Sequence, residues 1–242
     1  MALKKNDFIE IEFTAKVKNG DVFDSNIKKD LQEAKLNIEL KPLVFSIGAG
    51  MFLKGVEDFL EGKDVGKYSV ELTPEKAFGQ RNSKLIQIIP SRIFREQNLN
   101  PVPGIMFNFD GRMAKILSVS GGRIIADFNN PIAGKTVIYD LNILRKIDDI
   151  NEKAKAFINF LFRRDLNFEI KDKKIALNVE QNLVKFVELF SDKFKEILGL
   201  DLEVKEEKNK NLPNAADLKE EKKETETEEK EEKNKKSRNH KH

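Results

Sequence analysis

The 242 residues suffice for one large domain or two to three small ones, and with 39% hydrophobic and 35% charged residues they suit a globular chain with a densely charged surface. The 44 Lys and Arg nearly cancel the 41 Asp and Glu, leaving a formal charge of +3, so a general nucleic-acid binder is not expected. There is no cysteine, and the two histidines, His240 and His242, lie in a charged terminal run. That excludes disulfides, thiolate nucleophiles, Ser-His-Asp triads and metal sites built on Cys or His. Neither a metal nor a cofactor is expected.

Residues 1–7 carry two lysines with no apolar run behind them, unlike a signal peptide. No stretch approaches 18 apolar residues, so no membrane span is expected and a cytoplasmic location is. Abundant Lys, Glu and Ile fit a thermophilic source.

Along the chain, Ile9, Ile11, Phe13, Ala15 and Val17 alternate with polar residues and predict a half-buried strand. Asn19-Gly20-Asp21 supplies turn chemistry before Val22-Phe23-Asp24-Ser25 returns. A polar stretch leads to a strand over 42–48 that ends in glycine. Met51, Phe52, Val56, Phe59 and Leu60 then fall at helical spacing, and Tyr68, Val70 and Leu72 alternate as a strand. From Leu85 to Asn130 two hairpin signals, Asp110-Gly111 and Gly121-Gly122, join alternating runs and predict a small all-β module. Val137, Tyr139, Leu141 and Ile143 add one more strand.

Beyond 150 the period becomes helical. Ala154, Phe157, Ile158, Leu161 and Phe162 form one stripe, with Phe160 off it. A hairpin is expected across Asp172-Lys173, and then a single helix from Leu183 to Ile197, capped at Gly199. Leu202 and Val204 suggest a last strand, completing an αββα(β) domain over 151–206. From 207 to 242 Lys and Glu dominate, so a disordered tail is expected.

Three stretches together resemble the FKBP-type prolyl isomerases. Gly20-Asp21-Val22-Phe23-Asp24-Ser25 matches a G-x-x-F-D-S element. Phe45-Ser46-Ile47-Gly48 followed by Phe52-Leu53-Lys54-Gly55-Val56-Glu57 looks like the helix under that family's pocket. Pro74-Glu75-Lys76-Ala77-Phe78-Gly79 resembles a P-x-x-A-Y-G loop. Leu85-Ile86-Gln87-Ile88-Ile89-Pro90 and Asn130-Pro131-Ile132-Ala133-Gly134-Lys135 resemble the entry to and exit from the domain that the SlyD-like branch inserts. The resemblance covers about residues 5–150, and longer archaeal members look similar further on.

The resemblance implies an α+β fold. An antiparallel sheet around a short helix would occupy 1–84 and 131–150, with an inserted client-binding domain at 85–130. It implies a catalytic pocket of Phe23, Asp24, Phe52, Leu53, Val56, Phe78 and Tyr139, with Phe13 and Leu43 contacting substrate. Val56 stands where many relatives carry Trp, and Phe78 replaces the usual Tyr. Read as residues alone, Phe13 serves equally as core, Asp24 can brace its turn through Ser25, and Tyr139 needs a polar partner, for which Asp24 is a candidate. Within the insert, Met106, Phe107 and Phe109 are more large apolar residues than so small a unit needs, which points to client contact.

The expected activity is cis-trans isomerisation of Xaa-Pro bonds in unfolded or nascent chains, with holding of those clients. The alternative is a catalytically weak chaperone or scaffold. A homodimer through the C-terminal domain is expected from its surplus of aromatic residues, Phe157, Phe160, Phe162, Phe186, Phe190 and Phe194, in so small a unit.

Overall fold

The computed structural model describes residues 2–37 and 42–206. The run expected to form a disordered tail, 207–242, lies outside the described residues. In chain order the strands are β1 (Phe8–Val17), β2 (Val22–Ser25), β3 (Leu43–Ser46), β4 (Gly66–Leu72), β5 (Ile86–Pro90), β6 (Met106–Phe109), β7 (Arg112–Ser120), β8 (Arg123–Asp127), β9 (Val137–Ile147), β10 (Phe168–Lys171), β11 (Lys174–Val179) and β12 (Asp201–Glu206). The helices are α1 (Lys28–Glu33), α2 (Lys54–Leu60), α3 (Ser91–Glu96), α4 (Ile150–Phe162), α5 (Val184–Glu188) and α6 (Ser191–Leu198).

Alternation along β1 makes it the axis of the first sheet, which runs β2-β1-β9-β4 with β3 also paired to β1, every pair antiparallel. Ile11, Phe13 and Ala15 of β1 share a face with Val137, Tyr139, Leu141 and Ile143 of β9, and α2 closes over that face with Val56 and Leu60. Burial of this set is what stabilises the sheet, at about 25 cal/mol per Å² of apolar surface. The helix expected from Met51 begins three residues later, because Gly48 and Gly50 adopt φ of 77° and 70° and hold the preceding residues in a turn. The six-residue α1 falls where only a polar stretch was read. Leu31 is its one buried residue, too little to make an apolar stripe.

The 85–130 segment forms its own four-stranded antiparallel sheet, β5-β8-β7-β6. Both expected hairpins are present, with φ of 50° and 83° at Asp110-Gly111 and of 56° and 77° at Gly121-Gly122, the left-handed pairs that two-residue hairpins require. The expectation of an all-β unit is corrected, since α3 packs Phe94 into the centre of its core against Ala114, Ile116, Ile124 and Ala126. Six residues are too few for helical periodicity to register.

By compactness the chain divides into 1–165 with Glu196–Gly199, and Leu166–Lys195 with the chain from Leu200. Helix α4 thus belongs to the first unit, and the boundary expected at 151 falls after Asp165. In the second unit β11 pairs antiparallel with β10 and parallel with β12. The single helix expected from Leu183 to Ile197 is broken into α5 and α6 around Leu189 and Phe190. Apolar residues keep the i, i+3, i+4 spacing across the break, so periodicity alone does not reveal it. Among the described residues no helix is long and apolar enough to cross a membrane.

Candidate functional site

The site begins with a row across the first sheet. Ala15 on β1 faces Asp24 of β2 on one side and Tyr139 of β9 on the other, and Tyr139 in turn faces Val70 of β4. Residues directly opposite in an antiparallel pair project to the same face, so Asp24 and Tyr139 stand on either side of a methyl group. Between Ala15 and Lys16 the partner on β2 jumps from Asp24 to Val22, leaving Phe23 as the extra residue of a bulge. Bulges re-aim side chains. Here the Phe23 ring stands edge-on to Phe78 at 5.7 Å and to Tyr139 at 6.2 Å.

Four more contacts complete a cup. Phe52 meets Phe13 at 5.2 Å, Tyr139 at 5.8 Å and Phe45 at 5.3 Å, and Phe13 stacks on Tyr139 at 6.1 Å. Phe23, Asp24, Phe52, Leu53 and Phe78 are half-buried, while Phe13 and Tyr139 are buried and Val56 is wholly so. Val56 therefore supports the floor from beneath. Phe45, absent from the sequence expectation, backs Phe52. Six of the seven expected pocket residues share one core cluster with Phe13, and Leu43 packs at its margin; the seventh, Asp24, stands beside them through its pairing with Ala15.

Two devices hold the walls. Ser25 and Asn26 bolt β2 to β1: Ser25 Oγ donates to the Phe13 carbonyl at 2.9 Å, the Asn26 amide donates to the Ile11 carbonyl at 2.8 Å, and the Phe13 N–H donates to Asn26 Oδ1 at 2.7 Å. Asn26 so replaces a strand partner, fixing Asp24 beside it. On the far wall the buried Glu57 accepts from the Phe52 N–H at 2.6 Å and the Gly50 N–H at 3.0 Å, which ties the loop carrying Phe52 to α2. Gly55 lies so close to β4 and the following turn that a Cβ would sit 2.3 Å from the Lys76 carbonyl oxygen. Only glycine lets α2 and the Phe78 loop approach this closely. An acidic residue on the apolar stripe of a helix was the available signal for Glu57, since a buried carboxylate must find donors.

Burial pushes the Asp24 carboxyl above its ordinary pKa, against the pull of the Ser25 backbone N–H. Burial, and next the nearby Asp24 charge, push the Tyr139 phenol up as well. Among the described residues no group of three or more His, Asp or Glu could hold a metal. The insert's three expected contact residues divide: Met106 is exposed, whereas Phe107 and Phe109 are half-buried with their rings 5.4 Å and 5.5 Å from Phe94.

A family model described as FKBP-type peptidyl-prolyl cis-trans isomerase matches residues 1–95, and one described as FKBP26, IF domain, matches 87–132. The chain is similar to a short-type peptidyl-prolyl cis-trans isomerase of Methanocaldococcus jannaschii, 31% identical over 145 residues, which is 58% of this chain and 92% of that one. It is likewise similar to a probable FKBP-type 16 kDa peptidyl-prolyl cis-trans isomerase of Pseudomonas fluorescens, 32% identical over 145 residues, 58% and 89% of the two chains. With the FKBP-type isomerase SlyD of Aeromonas hydrophila it shares 29% identity over 138 residues, 56% and 60% of the two.

The raised pKa of Asp24 has a consequence for stability. Below the unfolded value of about 3.9 both states are protonated and the group contributes nothing. As pH rises the unfolded chain ionises first, so above its raised native pKa the charged carboxylate disfavours the fold. Asp24→Asn is expected to melt higher than the parent at neutral pH, with the gap closing as pH falls towards about 4. Identical melting midpoints across that range, read by circular dichroism, would show a well-solvated carboxylate instead.

Proposed function

Since the chain belongs to the FKBP-type peptidyl-prolyl cis-trans isomerase family and is an enzyme of that class, we propose that it turns Xaa-Pro bonds of unfolded or nascent polypeptides in the cup of Phe23, Phe52, Phe78 and Tyr139. The observation that carries this reading is a ring of mutually edge-on aromatics with a desolvated carboxylate, Asp24, at its mouth.

Amide resonance sets a rotation barrier of about 18–20 kcal/mol and leaves negative charge on the carbonyl oxygen of the planar state. The twisted state has lost that resonance, so its carbonyl is less dipolar. An apolar cup accepts the proline ring and favours the less polar form. A carboxylate near the substrate carbonyl repels the planar state more than the twisted one. Both effects bind the transition state more tightly than the ground state, which is what acceleration requires. Tyr139, held protonated, supplies a donor for the peptide. No bond to a heavy atom is made or broken, so the reaction calls for no nucleophile, proton shuttle or cofactor.

Holding is assigned to the insert. Its outer face carries Ile86 and Ile88 on one edge strand and Met106 and Met113 towards the other, all exposed, and exposed large apolar side chains of this kind suit client contact. The neck is well pinned: the Asn82 N–H donates to Asn129 Oδ1 at 2.8 Å, Asn129 Nδ2 donates to the Asn82 carbonyl at 3.0 Å, and Arg81 pairs with Asp127. Self-association is assigned to the second unit, where Phe186 and Leu189 are exposed.

Phe78→Ala and Asp24→Ala are each expected to slow isomerisation of a proline tetrapeptide at least several-fold while circular dichroism stays unchanged. Parent-like rates in both would remove the cup and leave the scaffold reading. Replacing 85–130 by a short loop is expected to preserve tetrapeptide turnover but abolish acceleration of proline-limited protein refolding, because a held client meets the cup at raised effective concentration. Refolding at the parent rate would assign holding elsewhere. Light scattering at micromolar concentration is expected to give twice the 27.8 kDa of one chain; a single-chain mass rejects the dimer.

A further inference from the structure

Helix α4 runs beside β3 and leaves a groove of roughly 730 Å³ between them, lined by Leu43, Val44, Met51, Ala156, Asn159 and Phe160 among others. Its position relative to the cup is what gives it meaning. Met51 immediately precedes Phe52, and both Met51 and Leu43 pack against the same core cluster as the cup rings. The groove therefore begins at the margin of the cup and continues outward under α4.

The helix has already spent its inner face. Ala154, Phe157 and Ile158 are buried, while Ala156 and Phe160, one turn apart, lie on a second strip that is only half-buried. Phe160 is the residue that falls off the main apolar stripe, and it is only half-buried. Several of the polar groups around the groove are engaged with one another, while Lys155 stands at its rim. Arg145 Nη1 donates to Glu152 at 3.0 Å, Asn159 Nδ2 donates to Asp165 Oδ1 at 2.9 Å, and the Arg163 guanidinium lies 5.5 Å from the centre of the Phe160 ring. What the groove offers an incoming chain is thus chiefly the apolar floor of Leu43, Met51, Ala156 and Phe160.

We propose that this groove is a client subsite, in which α4 binds a large apolar side chain of the same polypeptide whose proline occupies the cup. The proposal rests on the reading of the cup as the proline site. Extended chain advances about 3.3 Å per residue, so about three residues carry a client from the cup past Met51 into the groove. The preferred client therefore carries an aromatic or large aliphatic residue about three positions from its proline. A short peptide cannot reach it.

The test uses the full chain and decapeptides that carry Phe or Ser at each of one to four positions on either side of a single proline, with an Ala-Leu-Pro-Phe tetrapeptide as control. For the parent, Phe about three positions away is expected to lower KM about five- to tenfold relative to Ser, the share of a phenylalanine's burial that an open groove provides, with kcat unchanged. Phe160→Ser and Ala156→Arg, which empty and fill the groove, are each expected to erase that gain while leaving tetrapeptide kinetics as in the parent. Fluorescence anisotropy of the labelled decapeptides reads the same Phe-for-Ser gain without turnover. An inert cup would appear as lost tetrapeptide turnover, with the gain in binding still telling for or against the groove. Absence of any Phe-dependent gain in the parent, or its persistence in both variants, would overturn the proposal.

Discussion

The smallest side chain in the cup decides its shape. Ala15 lies between Asp24 and Tyr139 at one register position, with only a methyl group as its side chain. Were β1 to carry the Val, Ile or Phe that strand propensity favours, that side chain would occupy the space into which Phe23, Phe52 and Tyr139 now turn their edges. The bulge at Phe23 depends on the same position, because the skipped pairing follows directly after Ala15. Central strands ordinarily bury their largest residues in the middle of a sheet. This one carries alanine there and gathers around it rings supplied by β2, β9, the α2 entry loop and the loop after β4.

Rings gathered around so small a residue keep their places only if the segments that carry them are fixed. Two kinds of constraint hold them apart. Hydrogen bonds from Asn26 and Ser25 fasten β2 to β1, and Glu57 fastens the Phe52 loop to α2. Close backbone approach at Gly55 does the same for the Phe78 loop. None of these groups belongs to the ring of aromatics, yet each fixes a segment that carries one. The resulting site keeps Asp24 partly out of water, an arrangement that costs stability.

The same economy appears in the insert and in α4. A four-stranded sheet with one short helix can cover only one face, so Phe94, Phe107 and Phe109 serve the core while Ile86, Ile88 and Met113 face water. A 13-residue helix likewise has more apolar circumference than β3 can cover, and Phe160 is left to line a groove. In both places the surplus is a geometric consequence of laying a small element on a small sheet.

How much of this was legible beforehand depends on the range over which each feature is encoded. The strands β1, β4 and β9 and both hairpins of the insert are local patterns, periods and turn residues within ten positions, and the chain alone determines them. So, in order and spacing, are the motif residues Phe23, Asp24, Phe52, Leu53, Val56 and Phe78. The brevity of α1 and α3 hid them, and the α5–α6 break leaves the apolar spacing undisturbed. Facing is another matter. Whether Phe107 meets a client or Phe94, whether Val56 lines the cup or lies beneath it, and that Glu57 holds the Phe52 loop are settled by which surfaces meet after the chain has closed. Such pairings leave no periodic trace, whether the partners are neighbours like Phe52 and Glu57 or distant like Ala15 and Tyr139, because burial of one face against another is a property of the packed pair and of neither segment alone.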